Sequence, residues 1–353
     1  MPSVLVAMSG GVDSSVAACL LHEAGYEVLG SHLKLVDTAG LEHGCCGPGA
    51  ERDARAVAAH LGFAFETPSM HGIFERTVID GFLSDAAQGR TANPCATCNQ
   101  NVKFGAFLER ADELGVDLIA TGHYVRARRA SDGSWRLLRG RDRAKDQSYM
   151  LHMLGQRELS RALFPVGDQT KVETREHARR FGLPIADKPD SQELCFVADG
   201  DASAFIASRA PELLRRGEVV ASSGEILGSH RGTALYTVGQ RRGLGISAPS
   251  RSYVLEVDAA RDRVVVGPEA LLRRRALIAE DWSWVGHAPA GPIEAEVQIR
   301  YRGRPSAATL VPERDSVRIS FQVPERAIAP GQRAVAYRGD EVLGGGTIAA
   351  AVT

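Results

Sequence analysis

Hydrophobic spacing changes character once along this chain. Up to about residue 200, short apolar runs alternate with stretches whose apolar positions recur every three or four residues. The run 4–8 reads as a buried strand, and 15–24, with Val16, Ala17, Cys19, Leu20 and Leu21, as a helix that Gly25 stops. Residues 26–34 predict a second strand. In 51–61, Ala54, Val57, Ala58 and Leu61 share one helical face, and Gly62 ends it. Residues 63–67 predict a third strand, 73–88 and 102–114 two helices, and 116–121 a short buried strand. Repeated βα units imply a parallel sheet with right-handed crossovers. Ligands of such sheets lie beyond the carboxyl ends of the strands. The stretches 9–14 and Gly122-His123-Tyr124 both follow strands directly and should reach that edge.

From about Pro211 helical periodicity gives way to short runs broken by Gly, Ser and charged turns, such as ALYTVGQRRGLGI and YVLEVDAARDRVVVG. A small β-rich module is expected there. Beyond Glu269 alternation and turn spacing predict an antiparallel β-barrel of about 75 residues. The expected fold is therefore α/β: a parallel-sheet domain over 1–200, a small β-rich domain over 201–268 and a barrel over 269–353.

Composition adds limits. A chain of 353 residues, 44% hydrophobic and 24% charged, is globular and long enough for two or three domains. No run of about 18 apolar residues suggests a membrane span, and no basic-then-apolar segment reads as a signal peptide. A cytoplasmic, monomeric protein is expected, with its cysteines reduced. The net charge of −1 means that a nucleic acid would be met by a local patch. Arg300-Tyr301-Arg302-Gly303-Arg304 in the barrel offers phosphate contacts and stacking; a structural cap is the blander reading of that barrel. The basic residues are nearly all Arg. The lysines are Lys34, Lys103, Lys145, Lys171 and Lys188. Where Arg dominates, a retained Lys suggests a need for a compact ammonium, and Lys103, Lys145 and Lys188 are expected to contact ligands.

The loop Ser9-Gly10-Gly11-Val12-Asp13-Ser14-Ser15 lies between the first strand and the first helix. Two glycines permit positive φ and close approach of a ligand. The free amides and the positive pole of the helix then face the turn and suit a phosphate. No Gly-Lys-Ser/Thr closes the loop, so it is not a Walker A motif. It resembles the pyrophosphate loop (PP-loop) of the ATP pyrophosphatases, which release pyrophosphate while adenylating an oxygen. An ordinary βα turn capped by Ser14 or Asp13 is the alternative.

Three further segments carry chemistry. In Asn93-Pro94-Cys95-Ala96-Thr97-Cys98, Asn-Pro starts a turn and a helix follows, so Cys98 is expected at or near a helix N-terminus with Lys103 close by. Both effects favour thiolate. A zinc site would need a second Cys/His pair, and adjacent Cys45 and Cys46 chelate poorly. A redox pair would sit in the first βα unit. A single nucleophilic cysteine is the reading favoured. Cys195 lies in Asp187-Lys188-Pro189-Asp190-Ser191-Gln192-Glu193-Leu194-Cys195, and by itself reads as core. Two thiols from distant positions would suit persulfide chemistry, one carrying the sulfane sulfur and the other resolving it as a disulfide. Lys145-Asp146-Gln147-Ser148-Tyr149 mixes charge and stacking; a helix start capped by Asp146 is its alternative. Cys19 is expected in the core. Gly243 to Ala248 fits a loose dinucleotide pattern but opens no βαβ unit, and reads as a tight loop.

The blocks AMSGGVDSSVAA, NPCATCNQNVKFG, ATGHYVR, KDQSYML, LFPVGDQTK, GLPIADKPDSQELCFV and YTVGQRRGLGI, in this order, resemble the tRNA-specific 2-thiouridylase family over essentially the whole chain. The resemblance implies a fold of the adenine nucleotide alpha hydrolase type. It also implies ATP- and Mg²⁺-dependent adenylation of carbon 2 of the wobble uridine of tRNAs for Lys, Glu and Gln. Sulfur from a persulfide then replaces that oxygen, with AMP and pyrophosphate released. Carried onto this chain, Ala7, Met8, Ser9, Gly10, Gly11, Val12, Asp13, Ser14, Ser15, Leu33 and Gly122 would form the ATP site, Asp13 also positioning Mg²⁺. Cys98 would be the nucleophile and Cys195 the persulfide carrier. Asn93, Pro94 and Cys95 would lie by the flipped-out base. Lys103, His123, Lys145, Asp146, Gln147, Gln240, Arg300 and Tyr301 would touch tRNA. A cysteine desulfurase or a sulfur relay protein would supply sulfur. Some members carry Asp where this chain has Cys95, which cannot act as a carboxylate. No tightly bound metal is expected, an iron–sulfur cluster being the alternative. Another PP-loop tRNA thiolase, a PP-loop small-molecule ligase and a non-enzymatic RNA binder are the competing classes; the intact loop speaks against the last.

Overall fold

Val4, Leu5 and Val6 have no exposed surface. A strand buried on both faces carries such a continuous apolar run, and each side chain contributes about 1.5–3 kcal/mol by its burial. The computed structural model of the chain describes residues 1–36, 48–189, 194–197, 200–246 and 251–352. Cys45, Cys46, residues 190–193 and the pair Ser247 and Ala248 lie outside them.

The elements begin with β1 (Ser3–Ala7), α1 (Val12–Glu23), β2 (Glu27–Ser31), α2 (Pro48–Leu61) and β3 (Ala64–Glu66). Two helical runs follow. The first is α3 (His71–Phe74), a π segment (Glu75–Ile79) and α4 (Asp80–Ala87); the second is α5 (Pro94–Cys98), a π segment (Asn99–Ala106) and α6 (Phe107–Glu113). Then come β4 (Leu118–Thr121), β5 (Val125–Arg129), β6 (Trp135–Arg139), α7 (Gln156–Arg161), β7 (Ala162–Leu163), α8 (Lys171–Arg180) and α9 (Ala202–Arg209). The remaining strands are β8 (Gly217–Ala221), β9 (Ile226–His230), β10 (Tyr253–Asp258), β11 (Arg263–Gly267), β12 (Arg273–Trp284), β13 (Ile293–Gln298), β14 (Ser306–Pro312), β15 (Ser316–Arg326), β16 (Arg333–Arg338) and β17 (Glu341–Val352).

The chain forms two compact units. The first comprises Met1–Val78, Cys95–Gly200 and Asp340–Val342. Its sheet has the order β3-β2-β1-β4-β7, parallel throughout. The chain runs outward from β1 to β3 and then resumes on the other side of β1 at β4. The crevice between the carboxyl ends of β1 and β4 is therefore the switch point of the sheet, where such folds bind ligands. Beside it is an antiparallel hairpin, β5–β6, whose strand β6 also takes Leu137 and Leu138 onto Val342 and Glu341. Asp132-Gly133 between the two arms, with Gly133 at φ 83°, is a hairpin signal that the periodicity above passed over.

The second unit comprises Ile79–Pro94, Asp201–Gly339 and Leu343–Thr353. A four-stranded sheet, β10-β11-β8-β9, makes the central module, with β8 and β11 parallel. The stretch Tyr236-Thr237-Val238-Gly239-Gln240 to Ile246 is irregular rather than a strand, because Gly239, Gly243 and Gly245 take φ of 90°, 73° and 67°. Strands β12 to β17 form the barrel, closed by pairing of β12 with β17. Residues 79–94 pack within this unit: Phe82 meets Phe205 at 6.0 Å, Thr91 N–H donates to Pro330 O at 2.7 Å, and Gln332 Nε2 donates to the Thr91 and Ala92 carbonyls.

Candidate functional site

The loop after β1 is shaped by its own side chains. Gly10 has φ 69°, and a Cβ there would stand 2.2 Å from Ala50 O, so only glycine fits. Ser14 Oγ accepts from Ser9 N–H at 3.1 Å, lies 3.2 Å from Ser9 Oγ and donates to Gly11 O at 3.3 Å. The first helical bond of α1 runs from Ser15 N–H to Gly11 O. The amides of Val12, Asp13 and Ser14 precede it and have no partner within the helix. With the dipole of a 12-residue helix behind them, they form an anion cradle. Gly122, at the end of β4, lies across this terminus: its Cβ would be 2.5 Å from Ser14 N. Ser15 Oγ is buried without a hydrogen-bond partner. Ala7 is half-buried. Met8, Val12 and Leu33 are buried. Met8 is engaged by the fold, its N–H donating to Ser31 O and its carbonyl meeting His32 Nδ1 at 2.8 Å.

Two lysines brace the loop. Lys171 Nζ lies 2.7 and 2.9 Å from the two Asp13 carboxylate oxygens. The Tyr124 hydroxyl lies 2.8 Å from Asp13 Oδ1 and 2.9 Å from Thr174 Oγ1. Lys188 Nζ donates to Gly10 O at 3.0 Å and pairs with Asp53 at 2.6 Å. Lys171 was absent from the lysines expected at the site. Its signal was legible: Thr170 and Glu173 form a capping box at the start of α8, which puts Lys171 at the first helical position.

The cysteine helix differs from expectation. It starts at Pro94, so Cys98 ends α5 and is not at the N-terminus, and Cys95 occupies the first turn. Proline suits that first position because its missing N–H would be unbonded there anyway. Cys98 is 6% exposed, Cys95 is exposed and Cys195 half-buried. Both expected reactive cysteines belong to the first unit. The π segment after Cys98 packs on α3, and Phe196, next to Cys195, meets Phe74 of α3 edge-on at 5.9 Å. α3 is thus the common support of the two cysteine segments. Asn99, 3% exposed, donates from Nδ2 to Met150 O at 3.0 Å, while its Oδ1 has no partner. Cys19 is in the core, where burial pushes its thiol up to about 12.

Of the residues expected at tRNA, Gln147 Oε1 accepts from Tyr124 N–H at 2.9 Å. Asp146 accepts from Arg139, from the Gly140 and Ser148 amides and from Ser148 Oγ, so it caps the turn that carries half-buried Lys145 and Gln147. His123 is 9% exposed, with Nδ1 2.8 Å from Thr121 Oγ1 and Phe104 at 5.9 Å. Burial, and then the charge of Lys103, hold its imidazole well below the ordinary histidine range. Asn93 and Pro94 belong to the second unit. There Gln240 Oε1 accepts from Thr237 N–H at 3.1 Å, and Thr237 Oγ1 lies 3.3 Å from Thr91 Oγ1. A Cβ on Gly239 would meet Ala327 at 2.6 Å, and Arg300 donates to Arg326 O. Gly239, the neighbour of Gln240, and Arg300 therefore both approach residues 326–327. Arg302 stacks over Tyr301 at 5.3 Å.

A parallel sheet whose switch point carries a glycine-built anion cradle defines a nucleotide-binding α/β domain. The family model described as the tRNA methyl transferase HUP domain matches residues 2–199. The models of a tRNA methyl transferase PRC-barrel domain and an aminomethyltransferase beta-barrel domain match 203–268 and 274–348. The chain belongs to the tRNA-specific 2-thiouridylase family. It is 47% identical to the tRNA-specific 2-thiouridylase MnmA of Geobacter metallireducens, over 99% of this chain and 97% of that one. It is 48% identical to the protein of the same name from Moorella thermoacetica, over 98% of each, and 48% to that of Chloroflexus aurantiacus, over 99% of each. The NMN synthetase of Francisella tularensis is a slight structural likeness, with a TM-score of 0.33 and 15% identity over 54% of this chain and 66% of its own.

Proposed function

We propose that this protein uses ATP to replace the carbon-2 oxygen of a tRNA wobble uridine with sulfur. The observation that carries the reading is the full-length membership of the 2-thiouridylase family by a chain whose β1–α1 loop is an anion cradle. ATP would lie at the switch point with its phosphates on the amides of Val12, Asp13 and Ser14. Attack of the uridine oxygen on the α-phosphorus expels pyrophosphate and leaves AMP on carbon 2, which turns a poor leaving group into a good one. Cradle amides aimed at the phosphates stabilise the charge that develops.

In the second half, the outer sulfur of a Cys195 persulfide adds to carbon 2 and AMP departs. Cys98 thiolate attacks the inner Cys195 sulfur, an S–S bond forms between the two, and the base keeps the outer sulfur. The two thiols lose two electrons in each turnover, which an external thiol reductant returns. A cysteine desulfurase or relay protein supplies the persulfide, and tRNAs for Lys, Glu and Gln are the substrates. A cytoplasmic monomer is part of this reading. Among the described residues no helix is long and apolar enough to cross a membrane.

A Mg²⁺ ion accompanying ATP finds no ready protein ligand in Asp13, whose two oxygens meet Lys171. Cys95 supplies no carboxylate, so no dedicated acid/base group stands at that position. The test is mass spectrometry of nucleosides from tRNA incubated with protein, ATP, Mg²⁺ and a persulfide donor. 2-Thiouridine is expected with wild type and not with Cys98→Ser; product undiminished by Cys98→Ser would overturn the reading.

A further inference from the structure

We infer that Lys171 is the charge-compensating residue of the phosphate loop: it cancels the carboxylate that Asp13 places in the first turn of α1, and so lets that turn accept a polyanion. The inference rests on the nucleotide reading above. It explains an oddity of the site. The amides of Val12, Asp13 and Ser14 and the helix dipole favour an anion, yet the second of these residues carries a negative charge of its own. An unopposed carboxylate a few ångströms from a triphosphate would repel it, most strongly where protein displaces water.

The structure opposes that charge in detail. Lys171 Nζ meets both Asp13 oxygens at 2.7 and 2.9 Å, and only 12% of the Lys171 side chain is exposed. Its backbone is pinned as well: the Lys171 N–H donates to Asp142 Oδ2 at 2.9 Å, and the Thr170–Glu173 capping box fixes the helix start. The Tyr124 hydroxyl donates to the same carboxylate, at Oδ1, at 2.8 Å. Lys171 therefore acts through Asp13 as a positioning residue. A lysine that gripped phosphate directly would make the same pair in the apo protein, and the two roles respond differently to removal of Asp13.

The test is calorimetric titration of the full-length protein with α,β-methylene-ATP, which the enzyme cannot cleave, in EDTA. Lys171→Met should weaken binding by about tenfold or more, and Lys171→Arg should stay within about threefold of wild type. The double variant Asp13→Asn with Lys171→Met, which removes both charges, should return to within about threefold of wild type. That comparison decides the matter even if Lys171→Met alone does not fold. A double variant that binds no better than Lys171→Met, or that loses binding outright, overturns the compensating role, as does unchanged binding by Lys171→Met. Absence of binding by the wild-type protein overturns the nucleotide reading itself, and this inference with it.

Discussion

Gly122 and Ser14 approach so closely that a Cβ on Gly122 would stand 2.5 Å from the Ser14 nitrogen. The end of β4 is thus a wall of the anion cradle. Gly122→Ala should push the first turn of α1 aside, at a cost of about 1–3 kcal/mol, and weaken binding of an ATP analogue by about tenfold or more. Gly25→Ala is the control. Its φ of 86° makes it strained in a place where a Cβ meets nothing, so it should lower the melting temperature and leave affinity alone. Wild-type affinity in Gly122→Ala would show that the close approach does not shape the cradle.

Lys188 ties Gly10 O to Asp53, but both side chains of the ion pair are 37% exposed. Lys188→Met should therefore cost about 1 kcal/mol of stability at most. Its larger effect should be on the loop, whose Gly10 carbonyl loses its anchor. The KM for ATP in the thiolation assay is expected to rise several-fold with little change in the denaturant midpoint. A midpoint that collapses while KM holds would reverse this assignment.

Cysteine reactivity should follow exposure. Cys19 is 1% exposed, and its thiol is raised to about 12, whereas Cys95 is exposed at the first turn of α5. Thiolate is the reactive form. Brief alkylation at pH 8 followed by peptide mass spectrometry should label the Cys95 peptide early and the Cys19 peptide only after unfolding. Early labelling of Cys19 in the native protein would contradict its place in the core.

His123 gives stability a pH dependence of known sign. In the folded chain its imidazole is held neutral by burial, well below the ordinary range. Unfolding returns it to about 6.5. Below that value the unfolded chain binds a proton that the folded chain refuses, so stability falls as pH drops through 6.5 and is level above it. Urea midpoints measured from pH 5 to 8 should fall less steeply towards acid in His123→Asn than in wild type. Parallel profiles would mean that His123 is not buried neutral.

The hairpin β5–β6 shows where periodicity falls short. Its strands, Val-Arg-Ala-Arg-Arg and Trp-Arg-Leu-Leu-Arg, are only five residues each and rich in Arg, so the pattern is weak, although Asp132-Gly133 marks the turn. The start of the cysteine helix was missed for a local reason too: Asn93-Pro94 reads equally as a turn and as a helix opening with proline at its first position.

The sequence alone determined the strand, glycine loop and helix at the N-terminus, because the bonds by which the loop folds on itself are made among neighbours, Ser9 to Ser14 spanning five positions. It determined the parallel sheet and the barrel as well, since periodicity records which side of an element faces a core. Tertiary structure alone decided what opposes the charge of Asp13. Lys171 is 158 positions away, and an ion pair between such distant residues leaves no periodic trace. The same holds for 79–88, which the amphipathic pattern named as part of a helix over 73–88 but could not assign to the second unit. A hydrophobic stripe states that a face is buried, and only the folded chain states against what.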